Sequence, residues 1–131
     1  MTKVELDWPH NINEIPKEAF TRKDIYDVEL RRIFHGEEWH PVCHESEIPE
    51  PGDFKTFRLA GVPLLIARGD DGVVRAFFNA CSHRGNQLET APMGNKTEFE
   101  CPYHRWLFST KGELVGCPNQ REFLPGFNRS D

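Results

Sequence analysis

The stretch from residue 81 to 104 opens on Cys81-Ser82-His83-Arg84-Gly85 and closes on Cys101-Pro102-Tyr103-His104, with 17 residues between His83 and Cys101. Each end pairs a soft thiolate with an imidazole. Each also follows a strand-like run, 73–79 for the first and 97–100 for the second, which places both on loops at strand ends. Two distant pieces of chain can then meet around one inorganic core. A Cys2His2 set can bind zinc, but zinc-finger spacing pairs Cys with Cys and His with His before the site closes. Here each segment supplies one of each.

Outward from these loops the apolar period is short. Runs rich in Val, Phe, Leu and Ile, separated by turn residues, predict strands at 39–43, 54–59, 62–67, 73–79, 97–100, 106–109 and 113–115. They make a mainly β, antiparallel domain. Gly69-Asp70-Asp71-Gly72 is a hairpin signal and Lys111-Gly112 a weaker one, while Pro63 puts its run at a sheet edge. Upstream, Tyr26, Leu30, Ile33 and Phe34 fall at i, i+4, i+7 and i+8, with Thr21 as N-cap and Gly36 as stop. That spacing predicts one N-terminal α-helix over 22–35. Residues 1–20 are polar, contain Pro9 and Pro16, and show no apolar period, so they read as an extended arm. The division expected is arm and helix over 1–37 and β domain over 38–131.

At 131 residues there is room for one domain with its own core and too little for two of ordinary size. A hydrophobic share of 37% and a net charge of −5 offer no basic footprint for nucleic acid or an anionic membrane. No run of about 18 apolar residues is present. The first ten residues hold Trp8, Glu5 and Asp7 where a signal peptide needs a basic end and an apolar stretch. A cytoplasmic location is expected, with no nucleic-acid or membrane partner. In that compartment Cys43, Cys81, Cys101 and Cys117 are expected to bind metal or stay as thiols rather than form disulfides.

The paired motif, with Gly85 beside one half, Pro102 inside the other and Trp106 two residues past His104, resembles the Rieske proteins. In these, two Cys hold one iron of a 2Fe-2S cluster and two His hold the other. The resemblance implies an antiparallel Rieske-type β-sandwich with cluster-binding loops, and one-electron transfer as its work. It implies Cys81, His83, Cys101 and His104 as ligands, with Arg84, Gly85, Tyr103, Arg105 and Trp106 around them. Two ferric ions, two sulfides and two thiolates sum to a neutral core, whereas an all-cysteine cluster is doubly negative, so an electron is added more easily. Rieske potentials accordingly run from roughly −150 to +300 mV, against roughly −400 mV for plant-type ferredoxins. Respiratory Rieske proteins add a disulfide between the two motifs, and Ser and Tyr donors after the last His. Asn86, Tyr103, Trp106 and Phe108 stand at those places here, which implies the lower half of the range.

Among low-potential members, the chain resembles the N-terminal domain of aromatic ring-hydroxylating oxygenase large subunits over nearly its whole length. The shared features are the helix ahead of Trp39, residues 39–54, residues 81–86 and residues 101–106. Arg105 departs from the pattern, since the residue after the second ligand His is usually small. Such a subunit implies a ferredoxin or reductase as electron donor. It also implies a mononuclear non-haem Fe(II), held by two His and a carboxylate in the catalytic domain of a neighbouring subunit, where dioxygen attacks the ring. His10, His35, His40 and His44 all precede the cluster motif, whereas the family places that iron triad after it. A truncated subunit or an isolated domain, capable of electron transfer only, is therefore expected. The alternatives are a stand-alone Rieske ferredoxin and a zinc-binding structural module.

His40, Cys43 and His44 lie close in sequence, but on a strand-like run alternate residues face opposite sides, so no second metal is expected there. Cys117 reads as a buried or idle thiol. Arg84 and Arg105, each next to an expected ligand His, read either as solvated charges or as a positive rim for an acidic electron donor.

Overall fold

The computed structural model describes residues 4–11, 13–118, 120, 123, 126 and 127. The chain divides into two compact units, Met1–His40 and Pro41–Asp131. The second holds both motifs. Its strands are β1 (Asp53–Leu59), β2 (Val62–Arg68), β3 (Val74–Phe78), β4 (Met93–Asn95), β5 (Glu98–Glu100), β6 (Leu107–Ser109) and β7 (Leu114–Gly116). One antiparallel sheet runs β3-β2-β1-β4 and the other β5-β6-β7.

Turn chemistry sets the register. Between β1 and β2, Ala60 (φ +46°) and Gly61 (φ +91°) form a two-residue left-handed turn whose twist matches a hairpin, and pairing runs from Leu59↔Val62 to Phe54↔Ala67. The expected 69–72 turn joins β2 to β3, with the Gly69 N–H donating to Val73 O and the Gly72 N–H to Gly69 O, both at 2.9 Å. Leu65, Ile66 and Ala67 are consecutive buried residues, the mark of a strand covered on both faces. Phe99, buried between exposed Glu98 and Glu100, meets the Phe54 ring edge-to-face at 5.5 Å. With Leu65 and Ala67 these two rings tie one sheet to the other, each burial contributing roughly 1.5–3 kcal/mol.

Several expectations are corrected. Pro63 lies on a central strand, not an edge. It faces Arg58 one pair beyond the hairpin closure, a position that sends no bond to β1. The β3 ladder begins only at Leu64↔Phe78, and the Pro63 carbonyl accepts from the Asn79 N–H at 2.9 Å, so no ladder donor is lost. Residues 39–43 form no strand: Pro41 lacks a ladder donor, and Trp39 is fully exposed. A short 3-10 turn, Glu45–Glu47, follows. Strand β4 was not expected.

In the first unit the single helix over 22–35 is instead α1 (Glu18–Thr21), α2 (Lys23–Glu29) and a π-helical turn (Leu30–Phe34). Arg22, extended at φ −78° and ψ 122°, breaks the first from the second. It donates to the Asp24 carboxylate through two guanidinium bonds of 3.0 and 2.5 Å, and no side chain caps the start of α2 at Arg22. Thr21 is therefore the end of α1 rather than an N-cap. The helical run stops at Phe34, before Gly36, where the His35 N–H donates to Leu30 O at 2.7 Å. Tyr26, Ile33 and Phe34 remain exposed. Among the described residues no helix is long and apolar enough to cross a membrane.

Candidate metal centre

Residues 81–86 leave β3 and residues 101–106 join β5 to β6, as expected of loops at strand ends. Their backbones are wired alike. The Cys81 N–H donates to Asn86 O at 2.7 Å and the Gly85 N–H back to Cys81 O at 2.7 Å. In the second loop the Cys101 N–H donates to Trp106 O at 2.8 Å and the Arg105 N–H to Cys101 O at 2.9 Å. Closing such a six-residue ring needs a left-handed residue four places after the cysteine: Gly85 at φ +70° and Arg105 at φ +60°. Glycine adopts it freely, whereas a side chain with a Cβ costs roughly 1–2 kcal/mol there. The small residue usual at position 105 thus has a backbone reason, and Arg105 is strained.

The rings sort the donors. Cys81 and Cys101 are buried, 3% and 1% exposed, with their sulfurs in hydrogen-bond reach of each other and no disulfide between them. Burial pushes the Cys81 thiol up and the neighbouring Cys101 adds to this, while the N–H groups of His83 and Arg84, aimed at its sulfur, pull the other way. The imidazoles of His83 and His104 meet on their own, ring centres 4.7 Å apart at 67°, and are half-exposed. Burial, then the charges of His104 and Arg84, lower the His83 pKa, leaving the ring neutral with a lone pair for a metal. Among the described residues no three His, Cys, Asp or Glu side chains converge on one ion position. Thiol faces thiol and imidazole faces imidazole.

Trp106 stacks on His83 at 4.8 Å and 11°, and Tyr103 lies against His104 at 3.7 Å. Trp106 also forms a second core with Cys81, Cys101 and Phe108, closed by Leu88, Leu114 and other apolar side chains. Arg84 and Arg105 are exposed. Among the described residues the Arg105 guanidinium pairs with Glu100, at 3.3 Å.

Sequence reasoning missed what holds the first loop. Buried Asn79 accepts from the Leu88 and Glu89 N–H groups at 3.2 and 2.9 Å and donates to Glu89 O at 2.7 Å, which fastens residue 79 to the far end of the loop. Glu89, also buried, accepts from the Thr90 and Ala91 N–H groups at 2.9 and 2.8 Å and pairs with Lys96. Nothing local marks either residue. The second loop is held by the ladder Glu100↔Leu107 and Phe99↔Phe108. The weaker candidates have partners of their own: His40 bonds Ile33 O at 2.9 Å, His44 bonds Ser46, and the Cys43 thiol donates to His44 O. Cys117 is half-buried against the second core.

Two buried free thiols, paired with each other, and two half-exposed imidazoles, paired with each other, fit a core of two irons and two sulfides, in which each iron takes two protein ligands.

The Rieske [2Fe-2S] domain family matches residues 38–128. Over 103 residues the chain is 47% identical to the 2-aminobenzenesulfonate 2,3-dioxygenase subunit alpha of Alcaligenes sp, covering 78% of this chain and 26% of that protein. Among solved structures it is similar to naphthalene 1,2-dioxygenase from Rhodococcus sp. bound to indole, with a TM-score of 0.78 and 41% identity over 82% of this chain and 24% of that one. A quaternary ammonium Rieske monooxygenase, whose structure gives insights into carnitine oxidation and inter-subunit electron transfer, aligns at a TM-score of 0.79 and 35% identity, over 88% of this chain and 31% of its own. The chain spans only 26% of the dioxygenase subunit's length. Because the family match takes in both wired loops and every strand that carries them, this chain belongs to the Rieske [2Fe-2S] domain family.

Proposed function

We propose that this chain is the electron-transfer part of a ring-hydroxylating oxygenase large subunit, with Cys81 and Cys101 on one iron and His83 and His104 on the other. The observation that carries the ligand set is the sorting of donors, sulfur with sulfur and imidazole with imidazole. A tetrahedral zinc site needs all four on one point. The cluster, once bound, supplies a centre that takes up and releases one electron at a time.

The chain's own residues set the conditions for that exchange. Cys81 and Cys101 keep the sulfur end away from water, and the N–H groups of His83 and Arg84 direct partial positive charge at the Cys81 sulfur. His83 and His104 leave the imidazole end half-exposed, so a partner approaches there. Trp106 fixes the His83 ring by stacking, and Tyr103 lies tilted at 34° against the His104 ring.

On this reading residues 38–131 are the cluster domain and residues 1–37 an arm followed by α1, α2 and the π-helical turn, whose exposed Tyr26 and Ile33 serve assembly. A ferredoxin or reductase delivers electrons in the cytoplasm. They pass to a mononuclear non-haem Fe(II) in the catalytic domain of a neighbouring subunit, where an aromatic compound meets dioxygen. The naming of relatives as aromatic dioxygenase subunits supports this. Reconstitution with iron and sulfide, followed by metal, acid-labile sulfide and visible absorption measurements, tests it. Two irons and two sulfides per chain in a reddish-brown protein are expected. A colourless chain that fills with one zinc and refuses iron overturns it.

A further inference from the structure

We propose that Trp106 is a positioning residue that sets the reduction potential of this site, by closing off the His83 ring from water in the cavity between the two sheets. The proposal rests on the electron-transfer reading above. By residue type alone Trp106 is passive, a position where the hydroxyl donor of respiratory Rieske proteins is missing. Its placement gives it a role of its own. It belongs to the second loop, where its carbonyl accepts the Cys101 N–H, yet its indole lies flat on the His83 ring of the first, at 4.8 Å and 11°. No water fits between rings stacked so closely. Phe123 and Phe127 meet the indole edge-on at 5.9 and 6.0 Å, and it shares a core with Cys81, Cys101 and Phe108, which holds it in place.

The indole is also a wall. A cavity of about 1050 Å³ lies between the sheets and opens to solvent past exposed Phe78, Lys111 and Glu113. Toward the first loop its lining is Ser82, Leu88 and Trp106, and none of Cys81, His83, Cys101 and His104 lines it. Trp106 therefore stands between the cavity and His83. His104 has no such cover, since its aromatic neighbour Tyr103 is 59% exposed and tilted at 34°. A neutral cluster becomes negative on reduction, and nearby water stabilises the added charge. A wall that keeps water out holds the potential down.

The test is voltammetry of the iron-loaded chain at one neutral pH, with pulsed electron paramagnetic resonance of the reduced cluster in heavy water. Trp106→Leu removes the flat cover and adds no hydroxyl donor. It should favour the reduced form about tenfold, which is about 59 mV for one electron, and strengthen the deuterium modulation. Trp106→Phe, with a smaller ring, should shift both in the same direction by less. Phe108→Leu, a comparable loss from the same core, should lower the melting temperature and leave the potential unchanged. A merely structural tryptophan would behave as Phe108 does. If Trp106→Leu takes up no cluster, Trp106→Phe carries the test. A wild-type or lower potential in the Trp106 variants that load, or an equal rise in Phe108→Leu, overturns the role of Trp106 and leaves the electron-transfer reading intact. A wild-type chain that takes up no two-iron cluster overturns that reading and this proposal with it.

Discussion

Residues 81–86 and 101–106 close the same backbone ring, but the first is fastened by buried polar side chains and the second by strand pairing. The ring fixes local shape. The fastening fixes where that shape sits in the fold. In the second loop β5 and β6 enter and leave as ladder partners, so their own main-chain bonds set the position. In the first loop the chain leaves β3 and enters no strand until β4, which pairs with β1 at the opposite edge of the sheet, and Asn79 and Glu89 supply the missing bonds. The rings also differ in where the histidine falls, two residues after Cys81 and three after Cys101. Even so, the two imidazoles meet.

The equivalence of the two rings as halves of one site is broken most severely at the ligands. Alanine at any of Cys81, His83, Cys101 or His104 should abolish the cluster, while Cys43→Ala and Cys117→Ala keep it. Iron content and visible absorption read the result, and full iron in Cys81→Ala would show that the first ring is not half of the site.

The difference in fastening predicts a one-sided effect. Asn79→Ala leaves the part-buried Leu88 and the buried Glu89 N–H groups without their acceptor, at a cost of about 1–3 kcal/mol for the buried one. Hydrogen exchange should rise across residues 80–90 and stay unchanged at 99–108. Equal loosening of both loops would mean that they are not separately held.

Acid should act on the same side. Burial pushes the Glu89 carboxyl up, but the Lys96 bond and the Ala91 and Thr90 N–H groups outweigh it and hold it below the usual Glu value. A carboxyl lowered in the folded state gives stability that is fully present above its unfolded-state pKa, about 4.3. That stability is lost as pH falls through the lower folded-state value. Melting curves of the chain and of Glu89→Gln should therefore differ by a constant amount at neutral pH and converge in acid. A gap that widens below pH 4 would contradict the clamp.

The smallest effect is the sharpest comparison. Gly85→Ala should destabilise by about 1 kcal/mol and Arg105→Gly should stabilise by about the same. A Cβ at position 85 meets nothing within 4 Å, so the change reports backbone conformation alone. Chemical denaturation of the two variants reads both signs, and equal signs would show that the rings are not equivalent.

Features fixed by neighbours in sequence were legible beforehand. The runs behind β1, β2 and β3, the 69–72 hairpin and the 111–112 turn depend on short clusters of β-forming residues and on glycines such as Gly72 and Gly112 at positive φ. Strand β4 was hidden because Met93-Gly94-Asn95 has no β-forming side chain. It forms by pairing with Asp53–Lys55, and Gly94 is required because the Phe54 ring would lie 2.9 Å from a Cβ there. The break at Arg22 depends on a guanidinium finding Asp24, which apolar spacing does not register. At the site, residue type and spacing singled out Cys81, His83, Cys101 and His104 as candidates. Their sorting into a sulfur pair and an imidazole pair comes from the fold, as does the role of Asn79, whose partners Leu88 and Glu89 lie nine and ten residues away.

The two closed rings also bear on speed. An electron hop is slowed by every atom that must shift when the charge changes, because the surroundings have to reach a shared geometry before transfer. Around this site the atoms that would shift are already committed: each cysteine is tied to its own loop by two main-chain bonds, and the indole of Trp106 lies flat on the His83 ring. Interiors packed in this way deform little. A centre built on such a frame has low reorganisation energy, which suits a carrier that must be filled and emptied in quick succession by partners on its imidazole edge.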